Sequence, residues 1–257
     1  MVKAKNLLPA LVTGTLIFSC GGGDGSANST STLNSSYDPQ ATAILEEIKT
    51  LPEEPLSDKE IYNLKYMWNE EKLAKDLYYK LAEIYSEYNV SKVFNNIASK
   101  SETVHQEAVE LLLDKYKISV DDVPYYEDRD LNSDYPPEVF SLPEIQDLYE
   151  QLLNQGMISL EDALKVGCIV EVTDVNDLNE EIENTDNADM IKLFEFLRQG
   201  SYNHYWAFDR ALKSIGVQDG CCSLGKEYCK TLEEYPPSNK AQKGGNRNRR
   251  NHRNNHK

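Results

Sequence analysis

At 257 residues the chain has room for one domain with appendages, and its 27% charged residues and 16 tyrosines are ordinary for a folded soluble protein. A net charge of −16 argues against nucleic acid as the main partner. That total already includes a basic C-terminal tail, so the folded part is more acidic still.

The first element, residues 1–19, reads as an export signal: Lys3 and Lys5 precede an apolar run from Leu7 to Phe18. The run is too short for a spanning helix of about 20 apolar residues. It ends in Ile17-Phe18-Ser19-Cys20, which resembles the lipobox of bacterial lipoproteins. That resemblance implies a lipidated Cys20, a membrane as partner, and an extracytoplasmic place in the cell envelope. Residues 20–56 then read as a tether, since Gly21 to Ser36 is rich in Gly, Ser, Thr and Asn, with a short helix over Pro39 to Thr50.

The body, residues 57–216, is all-α by its periodicity. A first long helix follows Ser57, which has capping-box spacing to Glu60, and is expected to run to Tyr88. Leu64, Met67, Ala74, Tyr78, Leu81 and Tyr85 form its inward stripe, and Glu71 falls within that stripe. A second helix is expected from Ser91 to Tyr116. Glu102 and His105 lie three apart on its apolar face, beside Phe94, Ile97, Ala98, Ala108 and Leu112. Lys117 to Ser141, with Pro124, Pro136, Pro137 and many acids, reads as a helix-free crossover. Ser141 and Glu144 have capping-box spacing for a short extra helix to Asn154. A third long helix is expected from Ser159 to Glu183, with Glu171 among Leu164, Cys168, Val175 and Leu178 and with Asp174 one turn on. The fourth runs from Asp186 or Asn187 to Ile215, and its stripe of Met190, Leu193, Leu197, Ser201, Phe208 and Leu212 includes His204. Four long amphipathic helices with one long connection fit a four-helix bundle.

Residues 217–235 form a cysteine-containing extension. Cys168, Cys221, Cys222 and Cys229 allow two disulfides and three pairings, and in an exported protein they read as staples. Adjacent Cys221 and Cys222 are expected to bond elsewhere rather than to each other, and one staple is expected to tie the extension back to Cys168. Residues 236–257, rich in Asn, Lys and Arg, read as a disordered basic tail.

Carboxylates and imidazoles on inward faces are costly unless paired or metal-bound. Glu71, Glu102 with His105, Glu171, and His204 come from four successive long helices. Di-iron and di-manganese bundles use a Glu from each of two helices and a Glu-x-x-His from each of the other two. Hard carboxylate oxygens and imidazoles suit iron or manganese. The fourth helix departs from the pattern, with Ser201 where a Glu is wanted, and Asp174 or water is the compensating ligand.

The run Met67 to Tyr78 resembles the ferritin-like family called domain of unknown function 2202. So do Ile97 to His105, Asn184 to Asp189, and Gly200 to His204. The resemblance covers Tyr62 to Leu212. It implies a ferritin-like fold and a metal-proximal Tyr78, seven residues after Glu71. The function expected from these residues is a lipid-anchored carboxylate/histidine metal site acting on a small oxidant or on the metal ion itself. It would be an oxidase, a peroxidase or a ferroxidase. The alternative is a non-enzymatic envelope protein using the bundle as a binding scaffold.

Overall fold

Residues 38–127 and 129–238 are described in the computed structural model, all of them within one compact unit of the chain. The expected signal, Cys20, the tether up to residue 37 and the tail from residue 239 lie outside them. Every regular element among the described residues is helical, and no strand occurs. None of these helices is long and apolar enough to cross a membrane.

Helix α1, Pro39–Thr50, starts with Asp38 accepting from the Gln40 amide, and proline sits where a missing N–H costs nothing. It is more than a decoration of a tether. Leu45 and Ile48 are fully buried in the main core. At its other end Lys115 donates to the carbonyls of Ile48 and Leu51, at 3.4 and 2.9 Å, where a cation complements the helix dipole.

Helix α2, Asp58–Ile84, opens with the expected capping box between Ser57 and Glu60. It stops four residues short of Tyr88, because Tyr85 leaves helical geometry and turns its hydroxyl onto the Gly156 carbonyl at 2.8 Å. The second expected helix is continuous in direction but not in winding. It comprises α3, Lys92–Ile97, then a π-turn over Ala98–Glu102, then α4, Thr103–Lys115. Thr103 donates from both its amide and its hydroxyl to the Ala98 carbonyl, which holds the widened turn open.

The crossover is not helix-free. Asp130 accepts from the amides of Asn132 and Ser133 and nucleates a single turn, α5, Leu131–Asp134. The crossover is also pinned to α2 along its length. Buried Lys72 reaches both Asp76 and the Pro136 carbonyl, and Asn69 donates to Ser141 Oγ at 2.8 Å. That use of Ser141 explains why the expected capping box with Glu144 does not form. Helix α6, Pro143–Gly156, begins after Leu142 with no side-chain cap, and Glu144 instead accepts from the Tyr62 hydroxyl.

Helices α7, Leu160–Asn184, and α8, Ala188–Ser214, match their expected spans within a residue or two. They pack against each other along their lengths, α2 packs on α3 and α4, and α2–α7 and α4–α8 contacts join the two pairs. At Gly167 an added Cβ would lie 2.6 Å from three atoms of the Phe208 ring, so the missing side chain is what lets α7 and α8 approach. Two disulfides hold the extension: Cys168–Cys221 ties it to α7, and Cys222–Cys229 closes a small loop within it. Cys221 and Cys222 thus pair with different partners, as expected.

Candidate metal centre

Each long helix contributes one or two of the donors that gather in the interior. Glu71 on α2, Glu102 and His105 on the π-turn and α4, Glu171 on α7 and His204 on α8 are all buried, none more than 6% exposed. They meet as two groups, Glu71–Glu102–His105 and Glu102–Glu171–His204, each with its donor atoms within 4.8 Å of one another. Glu102 belongs to both. Its Oε2 lies 2.9 Å from His105 Nδ1 and its Oε1 lies 2.9 Å from His204 Nδ1.

The contacts are more than hydrogen bonds can satisfy. His105 Nδ1 faces Glu71 Oε2 at 3.2 Å as well as Glu102, and His204 Nδ1 faces Glu171 Oε2 at 3.4 Å as well as Glu102. One ring nitrogen carries at most one proton, so neither can serve two carboxylates at once. Glu71 Oε1 and His204 Nδ1 are buried with no partner of hydrogen-bonding geometry. Such orphans are rare in folded proteins and call for an explanation. A cation between the donor atoms would satisfy them all, so the residues fit a metal.

Behind the two rings sits Ser101. Its Oγ is 2.8 Å from His204 Nε2 and 3.3 Å from His105 Nε2. A hydroxyl oxygen has two lone pairs and can accept from both N–H groups, which leaves both Nδ1 atoms free to face the carboxylates. Gly200 completes the His105 position, because a Cβ there would overlap the imidazole ring.

The electrostatics are those of a buried acidic cluster. Burial raises Glu71 to about 7 despite the opposing His105, and burial likewise raises Glu171. Glu102 is pushed up by burial, but the two imidazoles outweigh this and hold it well below the usual range. Burial works against a charged His204, yet Glu102 and Glu171 carry it to about 10. The carboxylates cannot all ionise without nearby positive charge.

Tyr78 is fully buried, packs on Phe94 and Phe208, and donates to Glu171 Oε1 at 2.5 Å. Asp174 is partly buried and belongs to neither group; it accepts from Ser201, the residue standing where a fourth-helix Glu was wanted. A cleft of about 400 Å³ opens toward Ser101, His105 and Gly200 from the α1, α4 and α8 side, and Lys100, Lys192 and Gln199 also line it.

Residues 60–232 match the uncharacterized protein domain DUF2202. The chain belongs to this family. A 40% identical relative over 173 residues is the uncharacterized protein MJ0754 of Methanocaldococcus jannaschii, covering 67% of this chain and 85% of the relative. The crystal structure of hypothetical protein MJ0754 superposes with a TM-score of 0.58 at 37% identity, over 73% of this chain and 95% of that one. Every member of the two donor groups falls within the DUF2202 domain, as do both disulfides. Within that domain the sequence pattern had already marked Glu71, Glu102, His105, Glu171 and His204. It gave no signal for Ser101 as the shared partner of both imidazoles, nor for Glu70, whose buried Oε2 also lacks a partner.

Proposed function

We propose that this chain is a ferritin-like four-helix bundle protein whose Glu71, Glu102, His105, Glu171 and His204 hold a pair of iron or manganese ions. Activity of the oxidase, peroxidase or ferroxidase type would follow. The observation that carries this reading is Glu102, whose two oxygens face two separate imidazoles, each already beside a second carboxylate. A shared carboxylate is what two neighbouring cations need to lower their mutual repulsion. Three carboxylates leave a pair of divalent ions one positive charge from neutrality, and Asp174, hydrogen-bonded to Ser201, would supply the difference.

Bound iron or manganese would contribute the electrons or the Lewis acidity for reaction with dioxygen or peroxide. The chain's own residues do the rest. Glu102 fixes the separation of the two positions, and Ser101 fixes the imidazole tautomers. Tyr78 holds one oxygen of Glu171 by hydrogen bond and keeps the other toward His204. The cleft at Ser101 and His105 gives a small oxidant a way in. Two disulfides fit an oxidising compartment, in keeping with a lipid-anchored envelope protein attached through Cys20.

One observation favours the alternative of a non-enzymatic scaffold. With Ser201 in place of a Glu, the Glu171–His204 side has no carboxylate of its own on α8. Aerobic oxidation of Fe²⁺, followed by absorbance, separates the two readings. Wild type should oxidise Fe²⁺ well above the buffer rate and Glu102→Gln should not; equal rates for both would leave only the scaffold.

A further inference from the structure

The face of α7 that carries Glu171 continues outward as a row of acids. Asp174 and Asp177 follow at successive steps of three and Glu181 four further on, spacings that align side chains along one side of a helix. Across from them on α2 stands Glu70, which shares a hydrogen bond with Asp177 and feels the charge of Asp174 and Glu71. The row therefore runs along the α2–α7 seam and ends at the two donor groups.

Two features separate it from an ordinary acidic surface. Glu70 and Glu181 are each only 8% exposed, and one carboxylate oxygen of each, Oε2, is buried with no hydrogen-bond partner. No lysine or arginine pairs with Glu70, Asp174, Asp177 or Glu181 among the described residues; Lys59 alone acts on Glu181, through space. Elsewhere buried acids are compensated by a cation or by hydrogen bonds: Asp76 has Lys72, Asp189 has Lys115, Asp209 has Lys213, and Glu60 accepts from Ser57, Thr185 and Asn187. Buried carboxylates without countercharge or full hydrogen bonding are costly. A passing cation would meet both needs.

We propose that Glu181, Asp177, Glu70 and Asp174 form a ladder that passes hydrated divalent cations along the α2–α7 seam to Glu71 and Glu171. This rests on the metal-centre reading above. The ladder is built for transit rather than storage. Its carboxylates do not bring three donor atoms within 4.8 Å of one another as the centre does, so an ion there keeps much of its water. Ser201, bonded to Asp174, stands at the inner end. The cleft on the opposite side is lined by two lysines, Lys100 and Lys192, as well as by the acids Asp38 and Glu195, and so lacks the uncompensated row of carboxylates found on the seam.

The test is the rate of Mn²⁺ uptake by the full chain, followed by loss of the free-ion EPR signal after rapid mixing, with bound metal counted at the end. The Glu70→Gln/Asp177→Asn protein should load at least about tenfold more slowly, since acidic focusing raises on-rates by about 10–10³. It should reach the same final stoichiometry. Glu181→Gln, at the outer end, should slow loading severalfold, while Glu195→Gln on the cleft side should load at the wild-type rate. Thermal melts establish that each variant is folded, and the single Glu181→Gln decides the matter if the double variant is not. Wild-type loading rates in both ladder variants, with metal still held, would overturn the ladder and show that its carboxylates merely share protons. No metal in wild type at all would overturn the centre and the ladder with it.

Discussion

Ser101 places one hydroxyl against two imidazoles, and its loss has a specific consequence. In Ser101→Ala both Nε2–H groups lose their acceptor, so both rings lose the contact that fixes their orientation. Removing such a hydrogen-bond partner of a metal-binding imidazole costs about 10–100-fold in affinity. A competition titration with a metal-sensitive chelator should show that drop with the fold intact. The same scale explains which parts of the centre were legible in the sequence. Glu71, Glu102, Glu171, His105 and His204 interrupt apolar stripes of period 3.6, and a charged residue in such a stripe is conspicuous. Ser101 is not, because a serine beside a glutamate suits any exposed turn. It stands four residues before His105, on the same side of the helix, within a π-turn over Ala98–Glu102 that nothing in Ala-Ser-Lys-Ser-Glu announces. Asp174, expected as a stand-in ligand, accepts from Ser201, the residue whose missing carboxylate it would replace.

At the scale of elements, Glu60 joins the start of α2 to the turn before α8. Beyond closing the capping box with Ser57, its Oε1 accepts from Thr185 at 2.5 Å and Asn187 at 2.7 Å. Burial pushes Glu60 up, but the bonds from Thr185, Ser57 and Asn187 outweigh it and hold the carboxyl at about 2, below its ordinary value of 4.5. A depressed folded-state value means the stabilisation is complete above 4.5 and disappears as the pH falls from there toward 2. Glu60→Gln should therefore cost about 1–3 kcal/mol in urea unfolding at pH 7. The gap to wild type should narrow between pH 4.5 and 2. A gap that persists at pH 2 would assign the effect to packing. Gly200→Ala is the matching steric prediction: the new methyl collides with the His105 ring, so melting should fall and metal affinity with it, at a cost of about 1–3 kcal/mol. The long helices were readable to within a few residues because caps and stripes agree. The crossover was not, since its local turn at α5 comes from Asp130 and its fixed position from Lys72 and Asn69 on a distant helix.

Over the whole molecule, the extension and the helical body are one covalent unit. Cys168–Cys221 spans 53 residues and Cys222–Cys229 only seven. Loop-closure entropy assigns them about 4 and about 2 kcal/mol respectively. Removing the first pair by serine substitution should lower the melting temperature clearly more than removing the second. Equal losses would point to local packing rather than chain entropy. The family match joins this architecture to MJ0754, and the donor groups give it a chemical reading that turns on occupancy. The most direct measurement is elemental analysis of untagged full-length protein beside Glu102→Ala and His105→Ala. Wild type should hold two equivalents of iron or manganese per chain, both lost with Glu102 and the Glu71-side ion lost with His105. Wild-type protein that stays free of metal after incubation with Fe²⁺ and Mn²⁺, or the same amount of metal in all three proteins, would contradict the metal centre.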